Sequence, residues 1–447
     1  MITGNLLAIL ILLIPGFPGI FYRSRIKEMS VAAAAIDLAL SVIMYYVRPQ
    51  TGFFFVQNIT VLFIMMVLSV YLLSTIYSTR YLKGIENMGI REPTYYLLLN
   101  LFTISMIFSL EVNNYGFMWV GIEATTISSA LLLIIEKTET SLEATWRYII
   151  IVSAGVTFAF ISIILIYYSL GTLSVSVATA MHPHSKIMVL AVSLALIGFG
   201  TKVGVFPVHT WLPDAHSEAP SPVSAMFSGV LLPTALYVLY EVYEIEPIRQ
   251  LYVWFAVISI VAASIFIGYQ TRYKRMFAYS TMENMNLALL GLAAGGPLGI
   301  TGALLLLISH SFGKAGAFYS SGNVLRFTGK KNIADLSGLG TSMPYTSASM
   351  LMSSLAVTGA PPFGTFFGEF LILSDVLSLH MYAQFIIVII FLATAFISVN
   401  YNVTGMLFNG KGPKNEKDKL MSAVSVISAL IPLFIGIFYM VMYNEVL

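Results

Sequence analysis

The stretch Ala195–Pro207 reads ALIGFGTKVGVFP. An unbroken apolar run leads to Lys202. Val203, Gly204, Val205 and Phe206 follow it before Pro207, which should interrupt any helix. Such a lysine belongs either to an ordinary loop or to the interior of a membrane, and the rest of the chain decides between the two. Of 447 residues, 58% are hydrophobic and 10% charged, whereas soluble domains run at about 45–50% apolar and about 25% charged. The composition is that of a polytopic membrane protein.

Apolar runs divided by polar punctuation predict about fourteen spans, at roughly 20 residues each. They fall near 2–21, 30–47, 56–78, 95–111, 114–135, 146–170, 187–207, 222–243, 250–270, 276–294, 298–325, 345–378, 382–408 and 420–442. The first lacks a preceding basic region and a small-residue cleavage pattern, so it reads as a span and not as a removable signal. The twelfth is too long for one crossing and carries TGAPPFG (358–364), which predicts a break midway.

Charge placement supports this division. Of the 23 Lys and Arg residues, 18 lie in connections that follow odd-numbered spans. Three, Arg48, Lys186 and Arg249, follow even-numbered ones. The positive-inside rule then places the odd connections in the cytoplasm and both termini outside. Two amines are left over: Lys202 in span seven and Lys314 in span eleven. Each costs roughly 2.5–3.5 kcal/mol at mid-bilayer depth unless a partner or a hydrated cavity receives it.

The same sieve leaves few acids inside. Glu123 of WVGIEATTISSALL (119–132) is the natural counter-ion of Lys202. If the distance between acid and amine changes, the lysine can release or regain a proton. The alternative is a static salt bridge. His310 stands one turn before Lys314 on the same helix face and forms a second relay candidate with it. Glu369 in span twelve is a possible far terminus. Glu283 lies about two turns into span ten. Asp37 reads as packing and Asp375 as a solvated residue near a helix end. Glu241, Glu244 and Glu246 mark the outer end of span eight.

Spans seven and twelve both carry breakers, Gly204 and Pro207 in one, and Gly359, Pro361, Pro362 and Gly364 in the other. Irregular backbone at membrane depth survives only where it is buried or lines a cavity. Paired breaks are the signature of inverted-repeat transporters, although kinks made for packing give the same residues. The breaks are five spans apart, and an odd offset reverses orientation. The chain therefore reads as one membrane domain. It comprises three N-terminal helices (1–94), a five-helix repeat (95–243), a second, inverted repeat (250–408) and a last helix (420–442).

PVHTWLPDAHSEAPSP (207–222) places His209, Asp214, His216 and Glu218 in ten residues on the cytoplasmic side. Their spacing matches no zinc site. They read as a polar inlet or as a hydrogen-bonded surface loop. There is no cysteine, which removes the thiolate ligands of iron–sulfur clusters. Nucleotide-binding and hydrolase signatures are absent, and the short basic connections do not suggest nucleic-acid binding.

GTKVGVFPVHTWLPDAHSEAPSPVSAMFSGVLL (200–232) closely resembles the signature of the proton-translocating antiporter-like subunits. These occur in complex I, in Mrp cation/proton antiporters and in group 4 membrane-bound nickel–iron hydrogenases. KRMFAYSTMENM (274–285), SHSFGKAGAFYSSGNVL (309–325) and GAPPFGTFFGEFLIL (359–373) extend the resemblance over nearly the whole chain, with the hydrogenase-4 component F type most similar. The resemblance implies fourteen helices, two inverted five-helix repeats and breaks at spans seven and twelve. It implies a relay of Glu123, Lys202, His310, Lys314 and Glu369, moving H+ or Na+, with His209 and His216 as inlet histidines. It implies neighbouring membrane subunits, a peripheral iron–sulfur redox arm of the hydrogenase kind, and no cofactor or metal on this chain. An Mrp-type Na+/H+ antiporter subunit and a non-pumping scaffold are the alternatives. One departure stands out. Where many pumping members carry a lysine in span eight, this chain has SGVLLPTALY, with Pro233 at that place. Pro233 is accordingly expected to break the helix. The chain also stops soon after span fourteen, without the lateral helix of the largest complex I paralogue.

Overall fold

The structure is a computed structural model that describes residues 2–22, 25–85, 88–181, 183–408, 410 and 416–446. Arg23, Lys411 and Lys414, which entered the sidedness argument, lie outside the described residues. All fourteen predicted spans are helical. The N-terminal three are α1 (Ile2–Leu13), α2 (Ile26–Met44) and α3 (Asn58–Tyr81). Next come α4 (Glu92–Glu111), α5 (Tyr115–Leu133), α6 (Glu139–Leu170), a short α7 (Val175–Met181) and α8 (Lys186–Val203). After a break follow α9 (Trp211–Glu218), α10 (Ser221–Met226) and α11 (Leu232–Tyr243). The second half contains α12 (Arg249–Gly268), α13 (Tyr273–Ala294), α14 (Pro297–Thr328), a four-residue α15 (Leu339–Ser342), α16 (Pro344–Val357), α17 (Gly364–Ser378) and α18 (Tyr382–Phe408). The chain closes with α19 (Lys419–Val446).

Local signals explain many of the boundaries. Asn114 and Ser185 cap α5 and α8 by accepting from the amides of Phe117 and Met188, donors that a helix start leaves without intrahelical partners. Thr138 and Ser141 form a reciprocal capping pair at α6. The first span finishes as a 3-10 segment, Ile14–Phe21, because Pro15 and Pro18 remove two helical donors.

Eleven segments among the described residues are each long and apolar enough to cross a membrane. The other three crossings are α2, α13 and the α16–α17 pair, which is split as expected. Burial separates the centre from the rim: 94% of the α10–α11 window is buried, against 22% for α18. α13 is buried from Tyr273 to Ala294 almost without interruption. Outward-facing residues such as Ile127, Ile150, Ile397 and Phe438 are exposed and apolar, as a lipid-facing surface requires.

Pro233, expected as a break, does not interrupt span eight. α10 passes through a π turn, Phe227–Leu231, and continues into α11. Proline has no N–H for the carbonyl four residues earlier, and its ring crowds that carbonyl. Here that carbonyl belongs to Gly229, and Ser311 Oγ of α14 donates to it at 2.5 Å. The π turn accommodates the proline, and α14 supplies the missing hydrogen bond.

Candidate functional site

Lys202 lies in the last turn of α8 with no exposed surface. Its Nζ donates to Thr126 Oγ1 at 2.6 Å and to Tyr148 OH at 3.0 Å. The ammonium is also 5.2 Å from the Tyr148 ring centre. Glu123 does not pair with it directly, because Thr126 stands between the two. Thr126 Oγ1 donates to Glu123 Oε2 at 3.4 Å, and Ser153 Oγ donates to Glu123 Oε1 at 3.3 Å. One hydroxyl thus accepts from the amine while donating to the acid. Tyr148 OH and Ser129 Oγ are hydrogen-bonded at 2.7 Å, extending the chain. The C-terminal end of α8 adds favourable partial charge for a cation.

The break after Lys202 is built around Gly204, whose φ of +90° strongly favours glycine. The carbonyls left over at this helix end find side-chain donors. Trp211 Nε1 donates to Thr201 O at 2.7 Å, and Asn286 Nδ2 donates to Gly204 O at 3.2 Å. Ser259 Oγ accepts from the Phe206 amide at 2.9 Å. Pro207 lies within this linker, between α8 and α9.

The four groups of the predicted inlet divide into two sets. Asp214 and Glu218 occupy one face of α9 and are held by cations. Asp214 meets Arg147 at 3.0 Å and Arg275 at 3.2 Å. Glu218 meets Arg272 at 2.9 Å and Lys331 at 3.4 Å, and accepts from Thr140 at 2.9 Å. Burial works against the Glu218 carboxylate, yet Lys331, Thr140 and Arg272 together hold its pKa below the usual value. Asp214, Glu218, Thr140 and the three arginines border a polar cavity of about 200 Å³. The histidines are elsewhere. His209 is 4% exposed and stacks between Phe206 and Phe266. His216 is fully buried and stacks on Phe318, and neither of its ring nitrogens has a hydrogen-bond partner among the described residues.

Lys314 of α14 is fully buried and donates to the Phe277 carbonyl at 2.9 Å, with that ring's centre 5.9 Å from its ammonium. Among the described residues no carboxylate pairs directly with Lys202 or Lys314. His310, one turn before Lys314, is buried, and neither ring nitrogen has a hydrogen-bond partner among the described residues. Hydroxyls connect the π turn to this lysine. Ser228 and Thr281 are hydrogen-bonded at 2.6 Å, and Thr281 donates to the same Phe277 carbonyl at 3.0 Å.

The second break spans residues 358–363, between α16 and α17, and holds Pro361 and Pro362. Gly359 has φ +68°, and a Cβ there would collide with Glu369 Oε2. The Glu369 carboxylate therefore rests directly on the broken backbone. Glu283 is 3% exposed, with one carboxylate oxygen lacking a partner among the described residues, and lies within electrostatic range of both Lys314 and Glu369. Sequence reasoning noted Glu283 but left it outside the relay. It missed Thr126, Tyr148, Asn284 and Asn286. Asp375, expected to be solvated, is buried against Gly296 and Gly299. Asp37 is buried as well, and so is Glu111 at the end of α4. Neither carboxylate has a partner among the described residues. No group of three or more acidic or histidine side chains among the described residues could hold a metal ion.

Buried amines beside two discontinuous helices in an all-helical, multi-span chain define an antiporter-like membrane subunit. Residues 113–398 match the transmembrane family described as NADH:quinone oxidoreductase/Mrp antiporter, and the chain belongs to that family. It is 33% identical over 348 residues to the "Hydrogenase-4 component F homolog" of Methylacidiphilum infernorum, covering 73% of each chain. Its fold is similar to a chain of the archaeal membrane-bound sulfane sulfur reductase. The TM-score is 0.90 at 22% identity, over 99% of this chain and 96% of that one. A chain of the Mrp complex from Dietzia sp. gives 0.89 at 18% identity, with the same coverage.

Proposed function

We propose that this chain moves protons across the membrane as one subunit of a redox-driven complex of the hydrogenase-4 or complex I kind, with Na+ as the alternative cargo. The observation that carries this reading is the pair of fully buried lysines, each held by neutral oxygen atoms instead of a counter-charge. Hydroxyl partners suit such an amine in both protonation states. Thr126 and Tyr148 accept from an ammonium and can donate to a neutral amine. A direct carboxylate contact would favour the charged form alone.

In this reading Lys202 exchanges its proton as Glu123 and the polar cavity at α9 change their field. His216, His310 and the hydroxyls of Ser228 and Thr281 bridge the middle of the protein, where Pro233 replaces an amine. Lys314 passes charge past Glu283 to Glu369, which exchanges on the opposite side. Two observations support paired repeats. α4 packs chiefly on α5 as α12 does on α13, and α6 packs chiefly on α8 as α14 does on α17. The matching positions are spans four and five with nine and ten, and spans six and seven with eleven and twelve. By the positive-inside rule the face bearing α9 is cytoplasmic and both termini are external. No redox group resides on this chain. Free energy arrives from a peripheral iron–sulfur arm through neighbouring membrane subunits.

The test is reconstitution of the native complex in liposomes, with electron transfer driven from outside and the lumen followed by a pH dye. Acidification or alkalinisation that persists without Na+ supports proton transport. Movement only with Na+ transfers the role to that ion. Redox turnover that displaces neither ion overturns the proposal.

A further inference from the structure

Helix α13 runs between the two breaks and touches both through the same chemistry. Asn284 and Asn286 are two residues apart, so they face about 200° apart around the helix. Each amide gives one N–H to its own helix, Asn284 to Ser280 O at 2.9 Å and Asn286 to Met282 O at 2.7 Å. Each gives the other to a broken helix. Asn284 donates to Val357 O at 2.9 Å, at the end of α16. Asn286 donates to Gly204 O at 3.2 Å, at the end of α8. Both residues are at most 2% exposed.

Helix ends leave carbonyls without intrahelical donors, and the hydrocarbon core of a bilayer offers no water to satisfy them. A side-chain amide is the neutral group that can anchor itself on one helix and satisfy a carbonyl on another. We propose that Asn284 and Asn286 make α13 a tie between the two breaks, so that a displacement at the Lys202 break is transmitted to the Glu369 break. Both are positioning residues and carry no proton. The value of such a tie for coupling the two half-paths rests on the transport reading, whereas the tie itself does not. It also supplies a link that bypasses Pro233, since α13 joins the breaks without using span eight.

The test is hydrogen exchange on the intact complex in nanodiscs, without redox turnover, for segments 204–210 and 358–363. Asn286→Ala is expected to speed exchange in 204–210 by roughly tenfold, the scale of one buried hydrogen bond lost. It is also expected to speed 358–363 by at least about twofold, the low end of coupling through a packed network. Asn284→Ala produces the mirror image. If each variant moves only its own segment, the amides are independent caps and the tie is refuted. If neither segment responds, the bonds bear no load and the proposal also fails. Should alanine prevent assembly, Asn284→Ser and Asn286→Ser retain a donor too short to cross between helices and give the same readout. Ion flux is not measured here, so failure of the tie and failure of the transport reading remain separate results.

Discussion

Thr126→Val removes the oxygen that joins Lys202 to Glu123 while keeping the side chain's shape. Two contacts disappear together: the 2.6 Å bond from Lys202 Nζ and the 3.4 Å bond to Glu123 Oε2. A hydrogen bond to a charged group contributes about 1.5–3 kcal/mol. A neutral amine would keep a weaker bond of about 0.5–1.5 kcal/mol to the same hydroxyl, so losing Thr126 shifts the balance between charged and neutral amine by the difference, roughly tenfold. The ammonium keeps Tyr148 as its hydrogen-bond partner, and the acid keeps Ser153. The fold should survive, because valine suits a buried position on α5. The assay is ions moved per electron pair in liposomes, with redox turnover measured in the same sample. Thr126→Val should lower coupled translocation severalfold or more, and Thr126→Ser, which restores the hydroxyl, should recover it. If valine pumps as well as threonine, or serine is as impaired as valine, Thr126 is a packing residue and the bridged arrangement has no role.

Two further outcomes follow from the geometry. Gly359→Ala places a residue with a Cβ at φ +68°, at a cost of about 1–2 kcal/mol. The new carbon also displaces the Glu369 carboxylate, so transport should fall more steeply than the melting temperature; normal transport in a folded variant would show that the carboxylate's position is unimportant. Glu218 is titrated lower in the folded protein than its ordinary value of 4.5. Its stabilising effect is therefore complete above about that pH and is lost as pH falls through the lowered value. Acid unfolding of the complex should show this loss, and Glu218→Gln should abolish that part of the profile; an unchanged profile in the variant contradicts the assignment.

The spans were legible because hydropathy accumulates over about twenty residues and the basic residues sort to one side. The two breaks were legible because glycine and proline act locally. Lys202 and Lys314 stood out because little else charged lies at their depth. What the sequence concealed depends on contacts between distant segments. Asn286 finds Gly204 across 82 positions and Asn284 finds Val357 across 73, and no spacing rule connects them. Thr126 looked like any polar residue in an apolar helix, although its place one turn after Glu123 put both on one face. The α9 loop was read as one cluster. As a helix it sets Asp214 and Glu218 four residues apart on the clamped face and turns His216 inward. Pro233 carried a correct local signal, a missing donor, but whether the helix breaks or bulges was decided by Ser311 on another span.

The central claim is that Lys202 changes protonation while buried. Lys202→Met removes the amine and leaves a side chain of similar length in the same apolar surroundings. In reconstituted complex it should abolish, or reduce to a small residue, the ions translocated per turnover, while the assembled complex retains its redox centres. Ion translocation per electron pair equal to that of the unmodified complex, at equal redox turnover, would contradict the account.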